Sequence, residues 1–347
     1  MANPLLGIFF HAVGGLGSAS FYVPLRRIRG WAWESYWIAQ ALVAWVVAPL
    51  VVAWITVPDL FSVFANSPGK NVLWTYIFGV LWGIGALTFG LSMRYLGLSL
   101  GYALSLGFCT TFGTLIPPIY DGKLPELVAS ESGRVILAGI GVCLFGIALC
   151  GWAGVRKESD LTKEQRLASI KEYALGKGFL VAVIAGVMSS CFAFGIASGE
   201  RIAEQALKAG SDNLFKNNPI FIFICLGGFS TNLFYCMYLN RGNRTFKDYL
   251  SGSGADRAAN YGWITLAGLL WYSQFFFYGM GETQMGKFGF TSWSMHMASI
   301  IVFGNLWGIF CREWKGASGR TWALVWSGIT VLVASVFVIG YGNYLGS

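Results

Sequence analysis

The chain has 347 residues, of which 55% are apolar and 12% are charged, and its mean hydropathy is +0.59. Soluble globular domains carry about 25% charged residues, so this composition excludes a water-soluble surface over such a length. We therefore expect an integral membrane protein. We interpret the net charge of +8 as attraction to the anionic lipids of a bilayer and not as nucleic-acid binding.

Ten apolar windows are long enough to cross a membrane, which takes about 20 residues in a helix. They are continuously apolar, whereas a strand of a membrane barrel would alternate over about 10 residues. The sequence therefore predicts an all-α integral membrane protein with ten transmembrane helices. The windows cover residues 4–24, 34–57, 72–92, 97–119, 134–154, 178–198, 218–240, 260–281, 287–310 and 322–344.

The connections between these windows carry Lys and Arg unevenly. Of the 24 basic residues, 17 follow the odd-numbered windows and 7 lie on the opposite side. In multi-pass proteins the short cytoplasmic loops carry the excess of basic residues. We therefore predict that both termini lie outside the cytoplasm.

The two halves of the sequence resemble each other. "GIFFHAVGGLGSASF" from Gly7 aligns with "GFLVAVIAGVMSSCF" from Gly178, and "GVLWGIGALTFGLSMRYLG" from Gly79 aligns with "GLLWYSQFFFYGMGETQMG" from Gly268. The repeated unit holds five helices, and an odd number places the second copy upside down relative to the first. Inverted repeats of this kind are typical of secondary transporters, which bind their substrate near the middle of the membrane where the repeats meet.

The sequence thus divides into two predicted repeats and a connecting loop. The first five-helix repeat covers residues 1–155, a cytoplasmic loop covers 156–177, and the second, inverted repeat covers 178–347. We expect this architecture to work by alternating access, in which two similar packings of the same parts open the site to either side.

Motifs of enzymes and cofactor sites are missing from the sequence. No P-loop, dinucleotide fingerprint or H-E-x-x-H motif occurs, and the seven cysteines lie in or directly beside apolar windows without a C-x-x-C spacing. A G-x-S-x-G match at Gly97 opens an apolar helix and follows no strand, unlike a hydrolase nucleophile. We expect no enzyme activity, metal or organic cofactor, and we expect the energy for transport to come from a gradient.

Four blocks of sequence, together with His11, carry a family resemblance. The blocks "FYVPLRRIRGWAWE", "WGIGALTFGLSMRYLGLSLG", "WYSQFFFYGMG" and "SWSMHM" followed by "REW" closely resemble the L-rhamnose-proton symporter family of the drug/metabolite transporter superfamily. The resemblance implies uptake of L-rhamnose or a related 6-deoxy sugar, with a proton as the coupling ion, across a bacterial inner membrane. An exporter or exchanger of another small metabolite on the same scaffold is the alternative.

A proton-coupled carrier needs a group that can gain and lose a proton. His11 lies in the first window, His296 in the ninth, and Glu34 at the start of the second. Ionisable residues within membrane spans are costly, and histidine titrates near neutral pH, so these three residues are the proton-coupling candidates. The alternatives are neutral imidazoles bonded to neighbouring helices, and a helix-start carboxylate paired with Arg27 or Arg29.

A sugar carrier also needs aromatic faces and hydrogen-bonding groups. Trp271 and Gln274 are three residues apart and share a helix face, which suits an indole against the sugar C–H surface and an amide against its hydroxyls. Core or interfacial packing of Trp82 and Trp271 is the alternative. The predicted substrate-binding residues are Trp271, Gln274, Trp82, Tyr272, Trp293, Gln40, Asn232 and Asn305.

Overall fold

A computed structural model of the chain describes residues 3–96, 98–120, 122–160, 174–312 and 314–346. The described residues form helices joined by short turns, and no strand occurs among them. The prediction of an all-helical protein is therefore confirmed.

The helices found in these ranges are numbered α1 to α15 in chain order. A π-helical turn at Val43–Val47 separates α3 from α4, and 3₁₀ turns lie at Asn213–Phe215, Phe246–Leu250 and Gly286–Thr291. The helices are α1 Pro4–Ser20, α2 Tyr22–Leu25, α3 Trp33–Leu42, α4 Ala48–Thr56, α5 Leu60–Asn66, α6 Gly69–Leu96, α7 Leu98–Tyr120, α8 Leu124–Ala129, α9 Glu131–Asp160, α10 Leu175–Ser198, α11 Glu200–Lys208, α12 Asn218–Asn243, α13 Gly254–Thr283, α14 Ser292–Phe310 and α15 Gly319–Leu345.

Within the described residues, eight helical segments are long and apolar enough to cross a membrane. They correspond to eight of the ten predicted windows. The other two windows, 97–119 and 260–281, fall on α7 and α13, which have 23 and 30 residues; Gly97 itself lies outside the described residues. The eight segments are Pro4–Leu25, Trp33–Thr56, Gly69–Ser92, Glu131–Lys157, Gly176–Lys208, Asn213–Asn243, Gly286–Phe310 and Gly319–Leu345.

The predicted loop at 156–177 is only partly described. Helix α9 continues to Asp160 and α10 begins at Leu175. Residues 161–173 lie outside the described residues, so most of the predicted loop does too.

The π-helical turn has a cause in the sequence. Ala48 donates its backbone N–H to the carbonyl of Val43, five residues back, and Pro49 follows at the start of α4. Proline has no N–H to donate and its ring clashes with the carbonyl four residues earlier, here that of Trp45. A turn widened by one residue relieves this clash, so Pro49 favours a π turn directly before it.

The chain divides into two compact units. Unit 1 contains Met1–Leu16, Gly85–Ala193 and Gly281–Ser347, and unit 2 contains Gly17–Ile84 and Phe194–Met280. Each unit therefore contains residues from both predicted repeats.

In unit 1, small residues allow α9 and α15 to approach closely. A Cβ added to Gly139 would lie 2.7 Å from Cγ1 of Ile339, and one added to Gly342 would lie 2.7 Å from Cγ1 of Ile136. Contacts of this kind matter because lipid removes the hydrophobic drive for helices to associate, which leaves close packing as the main attraction.

In unit 2, glycines hold α6 against α12 and α13 against α3. A Cβ on Gly83 would lie 2.9 Å from the Cα of Gly228, and one on Gly79 would collide with the carbonyl of Ile224. A Cβ on Gly268 would lie 2.7 Å from Cβ of Val43. These close approaches bring the aromatic side chains of α3, α6 and α13 together in unit 2.

Candidate functional site

Four tryptophans meet in the interior of unit 2, and we call them the tryptophan cluster: Trp37, Trp45, Trp82 and Trp271. Trp45 occupies its centre, with ring centroids 5.1 Å from Trp82, 5.8 Å from Trp271 and 6.4 Å from Trp37. Trp37 and Trp271 are 5.9 Å apart. The rings meet mostly edge to face, which is a favourable geometry for aromatic pairs.

Two of these rings are held by α12. Trp37 donates its indole N–H to Oδ1 of Asn232 at 3.0 Å, and Asn232 donates its own N–H to the carbonyl of Gly228 at 2.9 Å. Trp82 lies against Gly228, where an added Cβ would be 2.5 Å from the indole ring. Any side chain larger than glycine at position 228 would therefore displace Trp82.

Aromatic rings extend the cluster at two edges. Phe21 lies 4.2 Å from Trp271 between ring centroids, and Phe275 lies 5.6 Å from Trp82. The two tryptophans that align between the predicted repeats, Trp82 and Trp271, both contact Trp45. The cluster thus draws on the two halves of the sequence.

Unsatisfied polar atoms accompany the aromatic rings. Both amide atoms of Gln40, the indole N–H groups of Trp45 and Trp271, and the hydroxyl of Tyr272 are buried and have no hydrogen-bond partner among the described residues. A buried polar group without a partner costs about 1–3 kcal/mol, and such groups are rare in native proteins. All of these groups lie in unit 2, and two of them, the indole N–H groups of Trp45 and Trp271, belong to the tryptophan cluster.

Six of the eight predicted substrate-binding residues lie in unit 2: Gln40, Trp82, Asn232, Trp271, Tyr272 and Gln274. All of them are buried except Trp271, which is half-buried. Asn232 differs from the others, because its oxygen and nitrogen already bond to Trp37 and Gly228. Its described contacts position Trp37.

The remaining two predicted residues, Trp293 and Asn305, lie in unit 1 on α14. Trp293 donates its indole N–H to the carbonyl of Cys109 at 3.0 Å, and Asn305 donates to Ile301 in its own helix at 2.9 Å. Each therefore has a structural partner, and a substrate role for either remains a prediction.

Trp37 and Trp45 were not predicted from the sequence. The chain contains 15 tryptophans, and helix periodicity alone does not separate core indoles from ligand-facing ones. The π turn also shifts the helix face on which Trp45 lies, so an α-helical projection of 34–57 misplaces it.

Two histidines meet in unit 1. The ring centroids of His11 and His296 are 6.0 Å apart at an angle of 65°, and the side chains are 0% and 1% exposed. A Cβ on Gly281 would lie 2.7 Å from Cε1 of His11, so α13 contacts the imidazole directly. The sequence predicted both histidines as candidates, and the structure brings them together as the histidine pair.

The third proton-coupling candidate, Glu34, begins a polar network in unit 2. Its Oε1 accepts hydrogen bonds from Nδ2 of Asn243 and Oγ1 of Thr245, each at 2.9 Å. These described donors are neutral side chains and not Arg27 or Arg29. Glu34 is 5% exposed and lies in the first turn of α3, where the helix dipole favours a negative charge.

A second buried carboxyl group joins this network. Asp248 accepts from the hydroxyl of Ser35 at 2.9 Å and from the backbone N–H of Ala32 at 2.8 Å, and it is 6% exposed. Asn240 connects the two carboxyl groups, because its Oδ1 lies 3.1 Å from the Ser35 hydroxyl and 3.0 Å from that of Thr245. The sequence reading missed Asp248 because it lies in a short polar connection between windows.

The network contains more acceptors than hydroxyl protons. Thr245 has one hydroxyl proton for two acceptor oxygens, those of Glu34 and Asn240. At the edge of the network, burial raises the pKa of the half-buried Tyr249 hydroxyl, so this group stays protonated at neutral pH.

No group of three or more potential metal ligands occurs in the part of the chain that the structure describes. Within that part, the chemistry that stands out is a tryptophan cluster with unpartnered polar atoms, a buried histidine pair and a buried carboxyl network.

Comparison with known proteins shows the family to which the chain belongs. The family model for L-rhamnose-proton symport protein (RhaT) matches residues 1–344. Proteins named L-rhamnose-proton symporter are 32% identical in Mannheimia succiniciproducens, over 97% of this chain and 98% of the relative, and 33% identical in Cronobacter sakazakii, over 99% of each. A further relative of that name in Yersinia pestis is 32% identical, over 97% of this chain and 98% of its own. The chain therefore belongs to the L-rhamnose-proton symport protein family.

Proposed function

We propose that the protein is a secondary active transporter that couples the uptake of L-rhamnose, or a related 6-deoxy sugar, to inward proton flow. The relatives that match almost the whole chain carry the name L-rhamnose-proton symporter. The observation in this chain that carries the proposal is that two indole N–H groups of the tryptophan cluster, those of Trp45 and Trp271, are buried without a hydrogen-bond partner among the described residues. Bacterial relatives support the inner membrane as its location.

L-Rhamnose matches the chemistry of this cluster. A pyranose has an apolar face of C–H groups, which packs on indole rings, and hydroxyls at its edge, which both donate and accept hydrogen bonds. Trp45, Trp271 and Tyr272 offer donors, and Gln40 offers a donor and an acceptor. We assign these four residues, with Trp82 and Gln274, to sugar binding.

The histidine pair is the proton-coupling group that we favour. Two imidazoles with centroids 6.0 Å apart in a buried site repel each other strongly if both are charged, so the pair gains one proton far more readily than two. Histidine is the side chain whose unperturbed pKa lies nearest neutral pH, which makes it the residue type best suited to a carrier that works from the proton gradient across the inner membrane. Glu34 is the second candidate, through its network with Asp248.

Reciprocal contacts support the two inverted repeats. Gly7 and Gly178 align between the halves of the sequence, as do Leu96 and Met285. A Cβ on Gly7 would collide with Met285, and a Cβ on Gly178 would lie 2.5 Å from Leu96. Gly7 of the first repeat therefore contacts Met285 of the second repeat, and Gly178 of the second repeat contacts Leu96 of the first.

A similar reciprocal relationship recurs eight residues further along α1 and α10. Gly15 and Gly186 align in the repeats. A Cβ on Gly15 would lie 2.5 Å from Cβ of Ser299 on α14, and one on Gly186 would lie 2.9 Å from the backbone nitrogen of Cys109 on α7. Windows four and nine, to which α7 and α14 belong, are equivalent in a five-plus-five arrangement. This supports ten spans in inverted repeats, as in the drug/metabolite transporter superfamily. The excess of basic residues after the odd-numbered windows supports the placement of both termini in the periplasm.

The test is uptake by purified protein in sealed proteoliposomes. With an acidic exterior, we expect radiolabelled L-rhamnose to accumulate above its external concentration, and a protonophore should abolish the accumulation. The control is liposomes with the same pH gradient and no protein. Downhill exchange of sugar that ignores the pH gradient would favour an exchanger on the same scaffold and would overturn the symport proposal.

A further inference from the structure

We infer that Trp45 is a sugar-binding residue that donates its indole N–H to one hydroxyl of the transported sugar, and that the π turn before Pro49 sets its position. The inference rests on the proposed function and assigns a hydroxyl-recognising group within the tryptophan cluster. Neither the family resemblance nor the sequence pattern singled out this residue.

Trp45 and Trp37 are both buried, and they differ in the hydrogen bonding of the indole N–H group. Trp45 is 0% exposed, and its indole N–H has no partner among the described residues. Trp37 is buried in the same cluster, yet its N–H bonds to Asn232 at 3.0 Å. An indole buried only for packing would be expected to satisfy its N–H as Trp37 does.

The position of Trp45 among the other tryptophans also supports a role in sugar binding. Trp45 contacts Trp37, Trp82 and Trp271, so it lies at the centre of the rings to which we assign the sugar. The side chain of Gln40, in the helix that leads into the π turn, also lacks hydrogen-bond partners among the described residues.

The backbone explains how this placement is maintained. The N–H of Ala48 bonds to the carbonyl of Val43 in the five-residue spacing of a π helix, and Pro49 cannot donate the bond that would close an α turn on the carbonyl of Trp45. Gly268 permits α13 to contact the start of the π turn, where an added Cβ would lie 2.7 Å from Val43. π turns are rare, and they occur frequently at functional sites.

The test combines one substitution with a series of sugars. Binding of L-rhamnose, and of analogues that each lack one hydroxyl, is measured by calorimetry for wild-type protein and for Trp45→Phe, which keeps an aromatic ring but removes the N–H. A net hydrogen bond corresponds to about a three- to tenfold change in affinity. We expect W45F to bind L-rhamnose about three- to tenfold more weakly, and to bind one deoxy analogue as well as wild-type protein does.

Equal binding of one deoxy analogue by W45F and wild-type protein would identify the hydroxyl that Trp45 recognises. A packing defect would instead weaken the binding of every sugar in the series. Trp54→Phe is the matched control: Trp54 lies on α4 of the same predicted span and is 61% exposed, and this variant should bind all sugars as wild-type protein does. Uniform weakening across the series, or unchanged binding by W45F, would overturn the role of Trp45.

A second measurement detects sugar binding at Trp45 directly in wild-type protein, and it uses W45F only to assign a signal. In protein labelled with ¹⁵N at tryptophan, the indole signal that disappears in W45F identifies Trp45, and L-rhamnose should shift that signal in wild-type protein. If L-rhamnose shifts other indole signals but not this one, the inference about Trp45 fails while the proposed function stands. If wild-type protein binds no sugar of the series, the proposed function itself fails.

Discussion

His11 and His296, at opposite ends of the sequence, lie with their ring centroids 6.0 Å apart in the interior of unit 1. Both side chains are almost completely buried. Histidines separated by 285 positions meet in this way only if α1 and α14 pack together, and Gly15 permits that contact against Ser299.

The first prediction concerns the charge of this pair. His11→Asn and His296→Asn keep a polar, hydrogen-bonding side chain but cannot titrate near neutral pH. We expect each variant to insert in the membrane and to lose proton-driven accumulation of L-rhamnose by at least about tenfold, as for removal of a group worth roughly 1.4 kcal/mol of coupling. Uptake against external pH, at matched expression, measures the effect. Curves that superimpose on the wild-type curve would show that the imidazoles only pack.

A second prediction tests how α13 supports the pair. Gly281→Ala adds a methyl group that would lie 2.7 Å from the ring of His11, and overpacking of this kind costs about 1–3 kcal/mol. We expect a lower melting temperature and a changed pH profile of uptake. Gly262→Ala on the same helix is the control, because no described atom beyond the backbone of its own helix lies within 4 Å of the position its Cβ would take. Equal effects of the two substitutions would contradict a specific contact with His11.

A third prediction concerns the sugar face of α13. Trp271→Phe removes an indole N–H without a described partner and reduces the ring area that faces Trp45. We expect an increase of about three- to tenfold in the KM for L-rhamnose, from the loss of a hydrogen bond. Trp263→Phe, at a residue of the same helix that is 37% exposed, should leave the KM unchanged. The measurement is initial uptake rate against sugar concentration, and an equal KM for both variants would exclude Trp271 from the site.

The helices could be predicted because hydropathy directly records which segments are stable in lipid. The windows at 34–57 and 134–154 correspond to apolar helical segments at Trp33–Thr56 and Glu131–Lys157. Helix α13 is not one of the eight segments, and it carries Asp256 and Arg257 near its start and Gln274 within it.

The contacts within the site could be predicted less well. His11 and His296 were candidates for separate reasons, but their pairing depends on how two distant helices pack, which no single-helix pattern records. Trp45 depends on a π turn, and the widening of one helical turn leaves no signature in hydropathy. Asp248 lies in a polar connection, where a buried carboxylate cannot be distinguished from a solvated one by composition.

A fourth prediction tests the orientation of the chain. Six of the seven cysteines are buried and Cys311 is exposed, and Cys311 follows the ninth window on the side where basic residues are in excess. A membrane-impermeant maleimide should therefore leave intact spheroplasts unlabelled and should label Cys311 once they are made permeable. Lys70→Cys places a thiol in the exposed connection after the second window, on the other side, and should be labelled without permeabilisation. The reverse pattern would overturn the predicted orientation.

The last prediction concerns a carboxylate at the end of α9. Asp160 accepts hydrogen bonds from the backbone N–H of Ser318 at 2.9 Å and from the hydroxyl of Thr321 at 2.7 Å, and thus joins the end of α9 to the start of α15. These bonds, that of the Ser318 backbone first, lower the pKa of Asp160 below its ordinary value of 3.8. Because the folded pKa is the lower one, the bonds stabilise the fold above about pH 3.8, and this stabilisation is lost as the pH falls through the folded pKa.

The change that tests it is Asp160→Asn, which removes the charge and keeps the shape of the side chain. We expect wild-type protein to melt at a higher temperature than the variant at neutral pH. The difference between the two melting temperatures should disappear as the pH falls through the folded pKa of Asp160, which lies below 3.8. Thr321→Val removes one of the two donors and should move the pH at which the difference disappears part of the way back toward 3.8. A difference in melting temperature that stays constant through this acid range would mean that Asp160 acts by packing and not through its charge.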